Sequence, residues 1–260
     1  MKKILAIILV LSISLISCEK DYTIDNLNDR IIILGHGGMG YGIAQYPMNT
    51  YEGLQRAINL GADGVEIDIQ LTKDSVLVCF HDQLLEHSTN INGAVHTLNW
   101  SDIKDGLYKH APYAVHKILS LDQLFEYSKN THILYTFDIK FYNPDNSDES
   151  KAIFQRALIR VIEKNYLEDR ITIESSDSDF LISLRDKKPG LNLFIYQDYM
   201  MAIETAINLG FSGIVVRGDE ITAEQVKEAH NHNIQVAEFG AKRRNQDEII
   251  RKKCRYYSNR

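Results

Sequence analysis

Cysteine is scarce in this chain of 260 residues: Cys18, Cys79 and Cys254 are the only three, and no two of them stand in a C-x-x-C pair. Nothing therefore points to a thiolate zinc site, and Cys79 and Cys254, far apart in sequence, read as core thiols rather than as a disulfide. Positive charge is also short. Lys and Arg number 29 against 35 Asp and Glu, a net charge of −6, and no basic stripe is interleaved with aromatic residues. Nucleic acid is not an expected partner. Long apolar runs are missing as well. Residues 4–16 form one that is too short to read as a membrane-spanning helix.

That run instead has the character of the apolar centre of an export signal. Lys2 and Lys3 precede it, and Leu15-Ile16-Ser17-Cys18 follows as a bacterial lipobox. The expectation is a lipoprotein signal peptide over residues 1–17, acylation of Cys18 as the mature N-terminus, and a polar tether over residues 18–30. The protein would be exported and anchored by lipid to a membrane of the bacterial cell envelope. Residues 31–260 would form one domain, a length that suits a (β/α)8 barrel.

From Ile31 onward, strand-like and helix-like patterns alternate. Strands are expected over 31–36, 65–69, 133–140, 171–174, 191–196, 213–216, 234–239 and 254–257. Helical spacing appears at Tyr51, Leu54, Ala57 and Ile58, then in 153–162, 180–184, 201–209 and 246–253, with Thr222 and Gln225 as a capping box. Such alternation argues for parallel βαβ units and an α/β fold, a (β/α)8 TIM barrel. An internal echo supports it: AINLGADGVEI (57–67) and AINLGFSGIVV (206–216) specify the same helix, turn and strand. Residues 83–120 are expected as a small insertion after the second strand and its hairpin, followed by a barrel helix over 121–128.

Between Asp68 and His81 there is no room for a crossover helix, so Lys73-Asp74-Ser75 reads as a hairpin turn. With Asp74 and Ser75 as central residues, Asp68 would stand directly opposite His81. Alternation then puts Glu66, Asp68 and His81 on one face. In the 133–140 strand, Leu134, Thr136, Asp138 and Lys140 share a polar face while Ile133, Tyr135, Phe137 and Ile139 form an apolar one. If the apolar face meets the helices, His36, Glu66, Asp68, His81, Asp138 and Lys140 converge at the carboxyl ends of neighbouring strands, where barrel enzymes keep their chemistry. Three carboxylates so close call for a cation, and an all-oxygen set suits Ca²⁺ or Mg²⁺. Two histidines beside it can serve as general base and general acid, and Lys140 can hold an anion such as phosphate. Metal-assisted phosphodiester chemistry is the expectation.

The residues also resemble a known family, the glycerophosphodiester phosphodiesterases. The resemblance runs from Gly35 to about Lys140 and more weakly beyond. It is carried by His36-Gly37-Gly38, Asn49-Thr50, Glu66-Ile67-Asp68, Leu71-Thr72-Lys73-Asp74, Phe80-His81-Asp82 and Asp138-Ile139-Lys140. It implies a barrel that hydrolyses glycerophosphodiesters to glycerol phosphate and an alcohol. Glu66, Asp68 and Asp138 would bind the metal, His36 and His81 would form the acid–base pair, and Asn49 and Lys140 would support the site or contact phosphate. Three positions depart from the family pattern: Gly37 replaces an Arg, Asp138 replaces a Glu, and Glu238-Phe239-Gly240 replaces a Trp-Thr motif. Arg217 and Lys242, at other strand ends, are candidates to supply the missing cation. The rival expectations are a barrel that has lost turnover and binds a glycan or lipid headgroup, and a phospholipase C-like or sphingomyelinase D-like enzyme.

Overall fold

The computed structural model describes residues 31–39, 46–109, 114–128 and 132–240, together with the backbone of 255–258. The expected signal peptide, Cys18 and the tether, the helix over 246–253, Lys242 and Cys254 lie outside the described residues. Eight parallel strands close on themselves: β1 (Ile33–Gly35), β2 (Gly64–Leu71), β5 (Leu134–Ile139), β6 (Ile171–Ser175), β7 (Asn192–Tyr196), β8 (Gly213–Arg217), β9 (Gln235–Phe239) and β10 (Arg255–Ser258). The last strand, β10, pairs with both β9 and β1, and β1 pairs with β2. This is the expected (β/α)8 architecture. Among the described residues no helix is long and apolar enough to cross a membrane.

The helices are α1 (Tyr51–Asn59), α2 (Trp100–Ile103), α3 (Leu121–Tyr127), α4 (Asp148–Lys164), α5 (Ser178–Lys187), α6 (Tyr199–Leu209) and α7 (Ala223–Asn231). Their starts follow from side-chain capping. Thr50, Ser120, Ser147, Asp177 and Thr222 each accept a hydrogen bond from a first-turn amide, and Thr222 and Gln225 complete the expected capping box. The helices bury one stripe against the outer face of the barrel. Ile67, Ile69, Tyr135, Phe137, Ile139, Ile171 and Ile173 from the strands meet Leu124, Phe154, Leu158, Phe180 and Ala202 from the helices.

Alternate residues point inward. Leu34, Phe194, Val215 and Ala237 form a small apolar core inside the barrel, with Ile32, Leu134 and Phe239 packed against it. The echoed segments now have a physical reason. A Cβ on Gly64 would stand 2.1 Å from the Leu134 carbonyl oxygen, and one on Gly213 would stand 2.5 Å from the Phe194 ring. Both glycines start a strand where the barrel interior has no room for a side chain.

The hairpin departs from expectation by one residue. Strand β3 (Leu77–Cys79) runs antiparallel to β2 with Ile69 opposite Cys79, Gln70 opposite Val78 and Leu71 opposite Leu77, so Asp68 is level with Phe80 rather than His81. Ser75 takes a left-handed conformation (φ 65°), the Ser75 amide donates to the Thr72 carbonyl, and the Thr72 amide donates to the Val76 carbonyl. The loop therefore holds three residues, not two, and shifts the register. A two-residue strand, β4 (Leu119–Ser120), pairs with β3. Between them residues 83–118 fold over a separate apolar cluster of Val78, Phe80, Leu85, Val95, Ile103, Tyr108 and Ile118.

Candidate active site

The inward positions at the carboxyl ends of the strands are polar. On β2 they are Glu66 and Asp68, on β5 Asp138 followed by Lys140, and just past β1 His36. Glu66 and Asp68 are only 2% and 1% exposed. Pairing places Asp68 beside Asp138, and one oxygen from each of Glu66, Asp68 and Asp138 lies within 4.8 Å of the others. Burial first, and then the charges of Asp68, Asp138 and Glu174, push the Glu66 carboxyl well above the usual range. Burial raises Asp138 as well, against the pull of Lys140.

Lys140 is the nearest fixed cation. Its Nζ lies 2.5 Å from Asp138 Oδ2 and 3.2 Å from Asp68 Oδ1. Burial works against the ammonium charge, but Asp138 and Asp68 outweigh it and raise the lysine above its ordinary value. The contact with Asp68 is an ion pair without hydrogen-bond alignment. Glu66 Oε1 and Asp68 Oδ1 are accordingly buried oxygens with no hydrogen-bond partner. Buried acceptors are rarely left so, and three carboxylates around a pair of them fit a hard divalent cation. The donor set is entirely oxygen, which disfavours zinc.

The other oxygens of these acids are fixed by the backbone and by Asn49. The Gly37 amide donates to Glu66 Oε2 at 2.8 Å. Asn49, itself left-handed at φ 62°, donates from Nδ2 to Asp68 Oδ2 at 2.8 Å and accepts from the Asp68 amide at 3.0 Å. Its backbone amide donates to the Gly37 carbonyl at 2.9 Å, tying the loop to β1. Asn49 thus positions the Asp68 carboxylate.

His36 Nε2 lies 3.9 Å from Glu66 Oε2, and its ring meets Phe239 edge-on at 6.2 Å. His81 reaches the site although the hairpin register differs, because the chain leaves the strand after Cys79. Gln70 Nε2 donates to the carbonyls of Phe80 and Asp82, on either side of His81, at 2.8 and 2.9 Å. His81 Nδ1 pairs with Asp82 Oδ1 at 3.0 Å, and Ser88 donates to the second Asp82 oxygen. The hydrogen bond to Asp82 raises the His81 pKa against its burial, with a further push from Asp68 and an opposing one from Lys140.

Arg217 is on the inward face at the end of β8, half exposed, and its recorded partners are Asp219 at 3.2 Å and Glu220 at 3.4 Å. It stands on the rim and is not drawn into the carboxylate cluster. Gly37 carries no side chain for a reason of its own. Its φ is 55°, and a Cβ there would lie 2.6 Å from the end of the Met48 side chain. Three contributors escaped the sequence reading. Glu174, buried on β6, is paired in register with Asp138, and the alternation of its strand already gave it the inward face. Tyr196, inward on β7, packs edge-on against Phe239 at 5.5 Å. The Asp82–Ser88 support behind His81 has no periodic signal.

Comparison with known proteins bears on the family and the fold. Residues 40–255 match the sequence model of the glycerophosphoryl diester phosphodiesterase family, a match that begins after His36 and Gly37. A glycerophosphodiester phosphodiesterase of Caldanaerobacter subterraneus subsp. tengcongensis is 29% identical over 172 residues, 65% of this chain and 68% of the relative. One from Bacillus altitudinis is 27% identical over 154 residues, 58% of this chain and 61% of the relative. Among solved structures, an Oleispira antarctica phosphodiesterase in complex with its product sn-glycerol-3-phosphate superposes with a TM-score of 0.76 at 18% identity. That superposition covers 87% of this chain and 91% of the other. A glycerophosphodiester phosphodiesterase from Parabacteroides distasonis gives 0.72 at 18% identity over 88% and 93%. At such identity the structures share the fold.

Proposed function

The chain belongs to the glycerophosphoryl diester phosphodiesterase family, a family of phosphoric diester hydrolases, and on that premise we propose that it hydrolyses glycerophosphodiesters to glycerol phosphate and an alcohol. In this reading Glu66, Asp68 and Asp138 hold one divalent cation, Ca²⁺ or Mg²⁺, while His36 and His81 move the protons. The observation that carries it is the pair of buried oxygens, Glu66 Oε1 and Asp68 Oδ1, without a hydrogen-bond partner inside a cluster of three carboxylates.

When bound, such an ion draws charge from the phosphate oxygens and eases attack at phosphorus. The residues of the chain do the rest. Lys140 offers a fixed positive charge to a phosphate oxygen from between Asp68 and Asp138. His81 is the general acid: the Asp82 carboxylate, held by Ser88, accepts from Nδ1–H and favours the imidazolium, whose Nε2–H protonates the departing alkoxide. His36, beside Glu66, is the general base that takes the proton of the nucleophile. As the new oxygen–phosphorus bond forms, the bond to the alcohol oxygen breaks, and one proton enters His36 while another leaves His81. The nucleophile is either water or the neighbouring glycerol hydroxyl, which would give a cyclic phosphate that water then opens. Arg217 supplies a second cation from the rim. Acylation of Cys18 would confine this activity to the cell envelope, and Cys18→Ala should then release the protein into the soluble fraction.

Turnover of glycerophosphocholine and bis(p-nitrophenyl) phosphate, with each divalent ion and after chelation, tests this reading. Release of glycerol phosphate that chelation abolishes is the expected result. Binding of a glycan or lipid headgroup without turnover in any divalent ion would favour a barrel that has lost catalysis. Hydrolysis confined to intact phospholipids would favour a phospholipase C-like or sphingomyelinase D-like enzyme.

A further inference from the structure

Glu174 is a buried acid that no step above uses. It stands on β6 beside Asp138, and Asp138 stands on β5 beside Asp68, so the register draws three carboxylates into one row across three neighbouring strands. The inward row beneath it, on the same strands, is Glu66, Thr136 and Thr172. On its far side Glu174 is level with Phe194, part of the small apolar core inside the barrel. It is 4% exposed, and its charge is one of those that raise the Glu66 carboxyl. Lys140 is paired with Asp68 and Asp138, so Glu174 adds to a repulsion that a divalent cation would relieve.

A second observation lies in the lower row. Thr136 is 1% exposed, and its Oγ1 has no hydrogen-bond partner. With Glu66 Oε1 and Asp68 Oδ1 it makes three such buried oxygens on two neighbouring strands. Buried hydroxyls are rarely left so. The three carboxylates do not account for this one, since a neutral hydroxyl in the row below adds no charge to hold an ion. It can, however, hydrogen-bond a water. Waters on a divalent cation are strong donors and need acceptors around them, and the residues behind a metal's ligands commonly supply these. Glu174 and Thr136 offer two, on the side of the cluster that faces β6. The oxygens that converge within 4.8 Å come from Glu66, Asp68 and Asp138 without Glu174, so Glu174 meets the ion through a water and not directly.

We propose that Glu174 and Thr136 are positioning residues that hold cation-bound water on the β6 side of the carboxylate cluster and so set how tightly the ion is kept. The inference rests on the proposed cation site and extends it by two residues. The experiment is calorimetric titration of the chelator-treated protein with Ca²⁺ and with Mg²⁺, alongside thermal melts in chelator. Wild type is compared with Glu174→Gln, Glu174→Asp and Thr136→Val. Both Glu174 variants should lose about 10–100-fold in affinity, the range for residues behind a metal's ligands. Asp keeps the charge and withdraws it by one methylene, so a loss there reports contact and not a distant field. Val keeps the shape of Thr136 and removes the hydroxyl, and should lose about two- to tenfold, the worth of one hydrogen bond. In chelator the Thr136→Val protein should melt no lower than wild type, because the hydroxyl it lacks has no partner there. A Glu174→Gln protein that melts lower in chelator yet binds both ions as wild type does would make Glu174 a purely structural residue and overturn the inference. A loss confined to Glu174→Gln, with the Asp and Val variants unchanged, would overturn it too, since charge would then act at a distance. Wild type that binds neither ion would remove the three-carboxylate reading along with it. Wild-type binding that no variant weakens would remove this inference alone.

Discussion

Replacing Lys140 by Met separates two roles that the geometry combines. The ammonium is 20% exposed and sits 2.5 Å from Asp138 and 3.2 Å from Asp68, which is itself 1% exposed. In the cation-free protein it is the closest counter-charge to three converging carboxylates. Removing one partner of a buried pair costs about 3–5 kcal/mol. The lower end applies here, because part of the Lys140 side chain meets solvent and Asp68 keeps its two bonds to Asn49. For a domain of this size about 3 kcal/mol corresponds to a melting point lower by roughly 6–12 °C. Met keeps most of the length and apolar stem of Lys, so the loss reports charge and not a cavity. The same substitution removes a competitor for the carboxylate oxygens, so divalent cations should bind the variant more tightly. Thermal melts in chelator and in millimolar Ca²⁺ or Mg²⁺ provide the assay, with calorimetry for the affinity. The Lys140→Met protein should melt well below wild type in chelator, recover most of the difference with cation, and still turn over slowly for want of the phosphate contact. A variant as stable as wild type in chelator, or one that binds cation more weakly, would refute the reasoning.

Three further outcomes follow from the same site. Asp82→Asn removes the first cause of the raised His81 pKa. A general acid must be protonated, so activity falls as pH rises through that pKa, and the variant's alkaline limb should move to lower pH in a kcat profile. The linkage agrees in sign: a raised His pKa contributes stability that is present at low pH and lost as pH rises through the folded value. Asn49→Ala deletes both side-chain bonds to Asp68 and places Ala at φ 62°, which should cost about 2–4 kcal/mol in denaturant unfolding and weaken cation binding. Gly37→Arg restores the residue the family usually carries, yet its Cβ would meet Met48 at 2.6 Å with φ at 55°. Substrate affinity should not improve, and stability should fall by about 1–3 kcal/mol.

Much of this barrel was readable in the chain because its two periodicities are clean. The strand that carries Asp138 separates a polar face from an apolar one, and the structure turns the apolar set, Tyr135, Phe137 and Ile139, toward the helices. That separation alone located Asp138 and Lys140 beside Glu66 and Asp68. What escaped depended on single backbone conformations. Ser75 adopts the left-handed turn that sequence usually assigns to Gly or Asn, so the hairpin shifted by one and His81 reached the site by leaving the strand. The Asp82–Ser88 support bridges two loops and leaves no repeating trace. Glu174 was readable and was passed over, since its strand alternates as plainly as its neighbour's.

One of the three departures from the family pattern, Gly37, has a local explanation in the backbone. Gly37 is left-handed, packs against Met48, donates its amide to Glu66 and accepts from the Asn49 amide through its carbonyl. An arginine at this point with this backbone would collide before it reached phosphate. Its place in the chemistry is taken over by position rather than by side chain: the Gly37 amide fixes one Glu66 oxygen and leaves the other, Oε1, without a partner. The positive charge the substrate needs must then come from elsewhere on the mouth. Lys140 is already lodged between two acids, and Arg217 stands across the rim with Asp219 and Glu220. A phosphate held by a lysine and a rim arginine is gripped less rigidly than one held by a bidentate arginine beside the base. Specificity should therefore lean more on the groups attached to the phosphate, and less on the phosphate itself.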